Sequence, residues 1–175
     1  TEAIARLRVR IVNEHPETDA LDGHGTGYAH VIRSVPGFKK LRFWTHENVG
    51  FGPVELPELE LHTVAAHWRL PERWAAGVAG PMRRAAAAYG VAHALHHAAV
   101  SLLMCDTADV GRALAAGDAS GWAIGTTGRH APKDEATRIA SGRVSVVLWD
   151  KVPGGAGLSK ACLLYTSDAA DDMFR

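Results

Sequence analysis

The sequence holds 175 residues, 47% of them hydrophobic and 22% charged, with 19 basic and 19 acidic residues and ten histidines. That is enough chain for one domain with its own core. The zero formal charge excludes a uniformly basic, nucleic-acid-coating protein, though not a local basic patch. The two cysteines, Cys105 and Cys162, are too few for a disulfide framework, and a cytoplasmic protein is the default expectation.

In chain order, residues 6–12 alternate basic and apolar side chains, the pattern of a half-buried strand. Residues 13–27, rich in Gly, Asp and Asn, predict a loop. A second strand is expected over 28–35, a turn at Pro36-Gly37, and a third strand over 38–45 paired to the second. Residues 58–70 alternate again and predict a long strand. Gly77, Gly80 and Pro81 mark a break before an Ala-rich helix from Met82 to Cys105. Val91, Leu95, Ala98, Leu102 and Cys105 fall on one face, and Val100, Leu103 and Met104 are apolar on another, so the helix reads as buried all round. Its most apolar stretch, Val91 to Cys105, is interrupted by histidines, and no membrane span is expected. Residues 112–143 show no clear period and read as a variable insertion. Residues 144–150 predict a buried strand, followed by the tight loop Pro153–Gly157 and a helix starting near Leu158.

The segment CLLYTSDAADD (162–172) resembles the translation of a transposase-based sequencing adapter. By that resemblance residues 162–175 form an artefactual tail and Cys162 is foreign to the native chain. Without Asp168, Asp171, Asp172 and Arg175 the remainder is slightly basic. Thr1 is followed almost at once by a strand pattern, so the chain is expected to be a fragment. The organisation predicted is a single truncated domain over 1–161: mostly β over 1–70, helical over 71–111, an insertion over 112–143, and a strand–loop–helix unit over 144–161. The fold class is α+β, with an antiparallel sheet in the N-terminal half, a buried central helix, then the strand–Gly-rich loop–helix unit.

Five groups of residues bear on chemistry. His93 and His97 stand four apart on one helical turn, the spacing of paired metal ligands, but no Glu follows His93, and an interior histidine is the competing reading. His62 and His67 point to opposite faces of a strand. The strand–PGGAG–helix unit has the geometry of a phosphate cradle. It lacks the GK[ST] ending of a P-loop and the third glycine of a dinucleotide fingerprint, which favours a tight turn. Asp106 and Asp109, after Cys105, suit helix or turn capping. Finally, Arg33, Lys39, Lys40 and Arg42 lie in a stretch without acidic residues, interleaved with Phe38, Phe43 and Trp44. Such a basic–aromatic hairpin can pair with phosphates and stack on bases of single-stranded nucleic acid; the alternative is a solvated strand face. Lys39, Lys40, Arg42 and Trp44 are the candidate contacts.

Four ordered blocks carry a family resemblance: VPGFKKLRFWTHENVGFGPVELPELELHT (35–63), YGVAHAL (89–95), LLMCDTADVG (102–111) and LWDKVPGGAGLS (148–159). Together they resemble the C-terminal zinc-binding domain, long a domain of unknown function, of mitomycin-repair-type DEAD/DEAH-box helicases. The resemblance implies a parent that is an ATP-dependent 3′ to 5′ DNA helicase acting in repair. It implies ATP, magnesium and zinc as cofactors of that parent, and DNA and the motor domains of the same chain as partners. No ATPase or other catalytic motif stands in these 175 residues. Cys105 matches a family Cys-Asp position and is a candidate zinc ligand whose companions lie outside the chain. Two readings compete with a helicase accessory domain: a free-standing metal-dependent hydrolase using His93, His97 and Asp106, and a purely structural domain.

Overall fold

Strand alternation decides the architecture. In the computed structural model, which describes residues 2–13, 23–71, 76–116, 122–126 and 144–173, seven strands form one sheet. They are β1 (Glu2–Asn13), β2 (His24–Leu41), β3 (Asn48–Pro53), β4 (Leu59–Arg69), β5 (Val110–Ala116), β6 (Trp122–Thr126) and β7 (Val144–Asp150). Helix α1 (Pro81–Leu103) separates β4 from β5, and α2 (Leu158–Met173) follows β7. The strand order is β1-β6-β5-β7-β4-β2-β3, with every neighbouring pair antiparallel. β1 also pairs with β2 along Glu2–Asn13. The sheet therefore curls until six strands meet in a ring, and β3 hangs on β2 outside it.

Because side chains alternate between faces, odd-numbered residues fill the ring. Val9, Ile11, Val31, Ala65, Ala113 and Val147 all belong to one buried cluster there. Trp149 spreads over Gly111, where any Cβ would collide with its indole. The even-numbered residues Leu114, Val144, Val146 and Leu148 face outward and are buried under the helices.

α1 lies on that outer face. Pro81 occupies its first turn, and Met104 closes it in the left-handed conformation, with the cap N–H donating to Val100 O. Its buried stripe is Ala85, Ala88, Ala92, His96 and Ala99, at the three- and four-residue spacing of one helical face. Small side chains let the helix sit close to the sheet. The expectation of a helix buried all round is thus corrected: Val91 and Leu102 are exposed, and the face that faces the sheet is the alanine face.

Two further expectations are revised. β2 runs straight through Pro36-Gly37 with no turn there; Gly37 pairs with Ile4 on one side and Pro53 on the other. A register shift between Ile4 and Arg6 sets Pro36 in a bulge, where its missing N–H costs the ladder nothing. The hairpin turn comes later, over 42–47, so the partner of the 38–41 segment is β3, not the strand before it. The sheet is also not confined to the N-terminal half. β5 and β6 form inside the stretch read as an irregular insertion, and β5 pairs with β7 along its whole length. Residues 117–121 and 127–143 of that stretch lie outside the described ones. α2 continues past Lys160 into the adapter-like segment, and Cys162 is buried beside Ala99, Val110 and Leu148.

Candidate functional site

The strand–PGG–helix unit is built around a carboxylate. Asp150, fully buried at the end of β7, accepts backbone N–H donors from Ala156 (2.7 Å), Gly157 (2.6 Å) and Leu158 (3.1 Å) on Oδ2 and from Ser159 (2.8 Å) on Oδ1. These are the loop and first-turn N–H groups of α2 that would otherwise greet an anion. The protein supplies its own anion, so the phosphate-cradle reading gives way to the tight-turn reading. Gly154, Gly155 and Gly157 all have φ near +80°, which glycine adopts without strain. A Cβ on Gly155 would come within 2.8 Å of Val64 Cγ2. Thr63 Oγ1 donates toward the carbonyl oxygens of Asp150 and Val152 (2.8 and 2.9 Å), Gly154 N–H donates to His62 O (2.9 Å), and Ser159 Oγ reaches Val64 O (3.3 Å). Asp150 carried no sequence signal beyond its place before the glycines.

The histidines divide by environment. His96, not His93 or His97, is the interior one: its Nε2–H donates to Val110 O at 2.9 Å, and its buried Nδ1 has no hydrogen-bond partner among the described residues. Burial holds its pKa below the ordinary imidazole value, with Arg112, His97 and Lys151 adding to the shift and the Val110 bond opposing it. His93 and His97 are exposed and meet edge-on, Nε2 to Nε2 at 3.1 Å. The Arg112 guanidinium is the main cause that lowers the His93 pKa, followed by desolvation and His97. Asp106 does not join them. Its Oδ1 accepts from Ala108 N–H (2.7 Å), while its own N–H donates to Asp109 Oδ2 (3.1 Å), a closed turn of the capping kind. The three ligands of the hydrolase reading are therefore not assembled among the described residues. His62 points outward from β4 and His67 inward, as alternation requires.

Cys105 sits just past α1, half-buried against the Ala99, Val110 and Cys162 cluster. Burial, then the Asp109 carboxylate, pushes its thiol pKa up. Cys162 is raised too, by burial and by Cys105. Both favour the neutral thiol over the thiolate that binds metal.

The four candidate nucleic-acid contacts all lie on the β2–β3 hairpin, with Lys39 and Lys40 on opposite faces of β2 and Arg42 and Trp44 in the turn. Lys39 stands opposite Phe51 and Lys40 opposite Gly50. Arg42 and Glu47 close the turn by backbone bonds and an exposed side-chain pair at 3.3 Å, a pair worth about 0–1 kcal/mol. Trp44 is 86% exposed and meets the 79% exposed Phe43 edge-on at 5.0 Å. Phe51, exposed across from Lys39, joins the patch and was not singled out by the sequence. Its signal was there: Val49, Phe51 and Pro53 alternate with glycines. Phe38, by contrast, lies over Gly52.

The described residues thus form a curled antiparallel sheet with helices on its outer face and a basic–aromatic hairpin at β2–β3. No family model matches the chain. Over 131 residues, 75% of its length, it is 31% identical to the uncharacterized ATP-dependent helicase YprA of Bacillus subtilis (strain 168), covering 15% of that protein. In fold it matches part of the DUF1998 helicase MrfA bound to DNA, with a TM-score of 0.59 and 24% identity over 95% of this chain and 19% of the other. A second structure, of MrfA bound to DNA and AMPPNP, aligns at a TM-score of 0.49 with 24% identity. The chain thus spans less than a fifth of the length of these helicases. The resemblance to the C-terminal region of a helicase of this type is borne out, and the likeness is to a helicase-associated domain. No helix among the described residues is long and apolar enough to cross a membrane.

Proposed function

We propose that this chain is part of the C-terminal accessory domain of an ATP-dependent DNA helicase acting in DNA repair in the cytoplasm. It braces the motor domains of the same polypeptide and touches DNA with its β2–β3 hairpin. ATP and magnesium belong to the motor. Zinc belongs to a site to which Cys105 would contribute one ligand, with the others from outside the chain. The observation that carries the reading is the hairpin itself: Lys39 across from the exposed ring of Phe51, Lys40 on the opposite face of β2, and Arg42 beside Phe43 and Trp44 in the turn. Cations pair with phosphates while the rings offer faces to unstacked bases. Likeness to a DNA-bound helicase supports the setting.

The test is Lys39→Ala/Lys40→Ala/Arg42→Ala in the full-length helicase, with binding to single-stranded and duplex DNA measured across a salt series. The expected result is weaker binding and a shallower salt slope in the log–log plot, by about 2 on single strands and about 3 on duplex for three lost phosphate contacts. An unchanged affinity and slope would leave a structural brace without a DNA contact.

A further inference from the structure

The outer face of the ring carries a cluster that the DNA-contact reading does not use. His30 on β2 and His62 on β4 are directly opposed in the antiparallel register, and Glu60 precedes His62 by two residues, on the same face. His30 Nε2 lies 3.1 Å from Glu60 Oε2. The two imidazoles stack with centroids 4.5 Å apart and planes 7° from parallel. One ligand atom from each of the three residues falls within 4.8 Å of the others.

The geometry points to a surface site for a zinc-class divalent cation, held by His30, His62 and Glu60. The donor set selects the metal: two imidazoles and one carboxylate suit Zn²⁺ and its neighbours in the first transition row, whereas Mg²⁺ and Ca²⁺ require oxygen ligands. Two donors about 2.0–2.1 Å from one tetrahedral ion are roughly 3.4 Å apart. The His30–Glu60 separation already has that scale, and rotating the His62 ring about its side-chain bonds turns its nitrogen toward the same point. The backbone beneath is fixed. β4 is paired to β2 through Glu60 and His62, and on its other side the carbonyl of His62 accepts from Gly154 N–H. Two histidines and one carboxylate leave the fourth position open to water or to a ligand brought by a partner. Arg10, in register with His30 on β1, is the nearest cation along that row, and its repulsion sets the affinity below what the three ligands alone would give. This site is separate from any cysteine site, and it stands or falls independently of the DNA reading.

The experiment is calorimetric titration of the purified 175-residue chain with ZnCl₂ and, separately, MgCl₂, followed by Co²⁺ substitution read by visible absorption. We expect one zinc per chain, no magnesium response, and a Co²⁺ spectrum free of thiolate charge-transfer bands. His62→Ala and His30→Ala lower the zinc affinity more than about tenfold, the least that losing a direct ligand should cost when supporting groups alone cost about 10–100-fold. Glu60→Gln weakens it, and Arg10→Gln strengthens it. All four positions lie on the sheet surface, and an unchanged far-ultraviolet circular dichroism spectrum checks that each variant folds. Absence of zinc binding, affinity unchanged in both histidine variants, or a thiolate band from Cys105 or Cys162 would overturn the assignment.

Discussion

Two loops, 150–158 and 42–47, show how one chain divides its residues between holding itself together and meeting something else. In the first, a buried carboxylate is saturated by four backbone donors, and each glycine sits where a side chain would strain or collide. Nothing there is left to offer a ligand. In the second, the backbone turn is closed by Arg42 and Glu47, while Trp44 and Phe43 stand largely in solvent, edge-on to each other. Glycine-rich and charged loops both invite functional readings; what separates these two is whether their polar and apolar groups are already spent inside the molecule.

The contrast is most sharply broken at Asp150. Asp150→Ala strips four backbone donors of their acceptor, that of Ser159 buried and those of Ala156, Gly157 and Leu158 part-buried, and should destabilise the chain by about 2–4 kcal/mol; Asp150→Asn, which keeps one acceptor oxygen, should cost about 1–2 kcal/mol. Urea unfolding followed by tryptophan fluorescence reads both, and a loss under 1 kcal/mol for the alanine variant would mean the loop does not depend on its carboxylate. Next in size is His96→Ala, which empties a packed position and strips Val110 O of its donor, for about 2–3 kcal/mol. Gly155→Ala follows at about 1–3 kcal/mol, because a Cβ there meets Val64 in a left-handed backbone. At the other loop the same measurement should be nearly silent. Phe43→Ala and Trp44→Ala should change stability by less than about 0.5 kcal/mol, while the proposed DNA contact requires each to lower the single-stranded DNA affinity of the full-length protein by about 1–3 kcal/mol per lost stacking contact. A hairpin variant that unfolded the chain would erase the distinction between the loops.

Acid should probe the buried side of the same contrast. The folded state holds His96 below its unfolded pKa, so the unfolded chain takes up the proton first. The stability present above about pH 6.5, the unfolded value, is lost as pH falls through that value toward the lower folded one. Melting temperature should therefore drop between pH 7.5 and pH 5.5. His96→Gln, which cannot titrate, should flatten that part of the profile even if it starts from a lower value.

Much of this was legible in the sequence because some segments write their period in strong letters. β1 alternates arginine with branched apolar residues, β7 is an apolar run interrupted by Ser145 and closed by Asp150, and Gly80-Pro81 announces the start of α1. Where the letters are Ala and Gly the signal fades. Ala113 and Ala115 line the ring, and Ala85, Ala88 and Ala92 face the sheet, yet alanine is too weakly hydrophobic to mark a face. So β5 passed for irregular chain, and the larger Val91 and Leu102 pointed to the wrong side of α1. Pro36-Gly37 spelled a turn, but a long-range bulge against β1 overrode the local preference. The basic–aromatic cluster was visible as a run; its placement on β2–β3, and the addition of Phe51, required the pairing register. His30 and His62 are 32 residues apart, and only the register of β2 against β4 makes them neighbours.

The closing of β1 onto β2 has one further outcome. Each of the six ring strands pairs with two neighbours over at least part of its length, which leaves little bare border at which a foreign strand can be added. Among the described residues, the strand with a single partner is β3, six residues long and ending at Pro53, which has no N–H to give. So short and proline-stopped a rim is a poor template for fibre growth or strand exchange. The unit can thus lie against a larger neighbour without its sheet fusing to it.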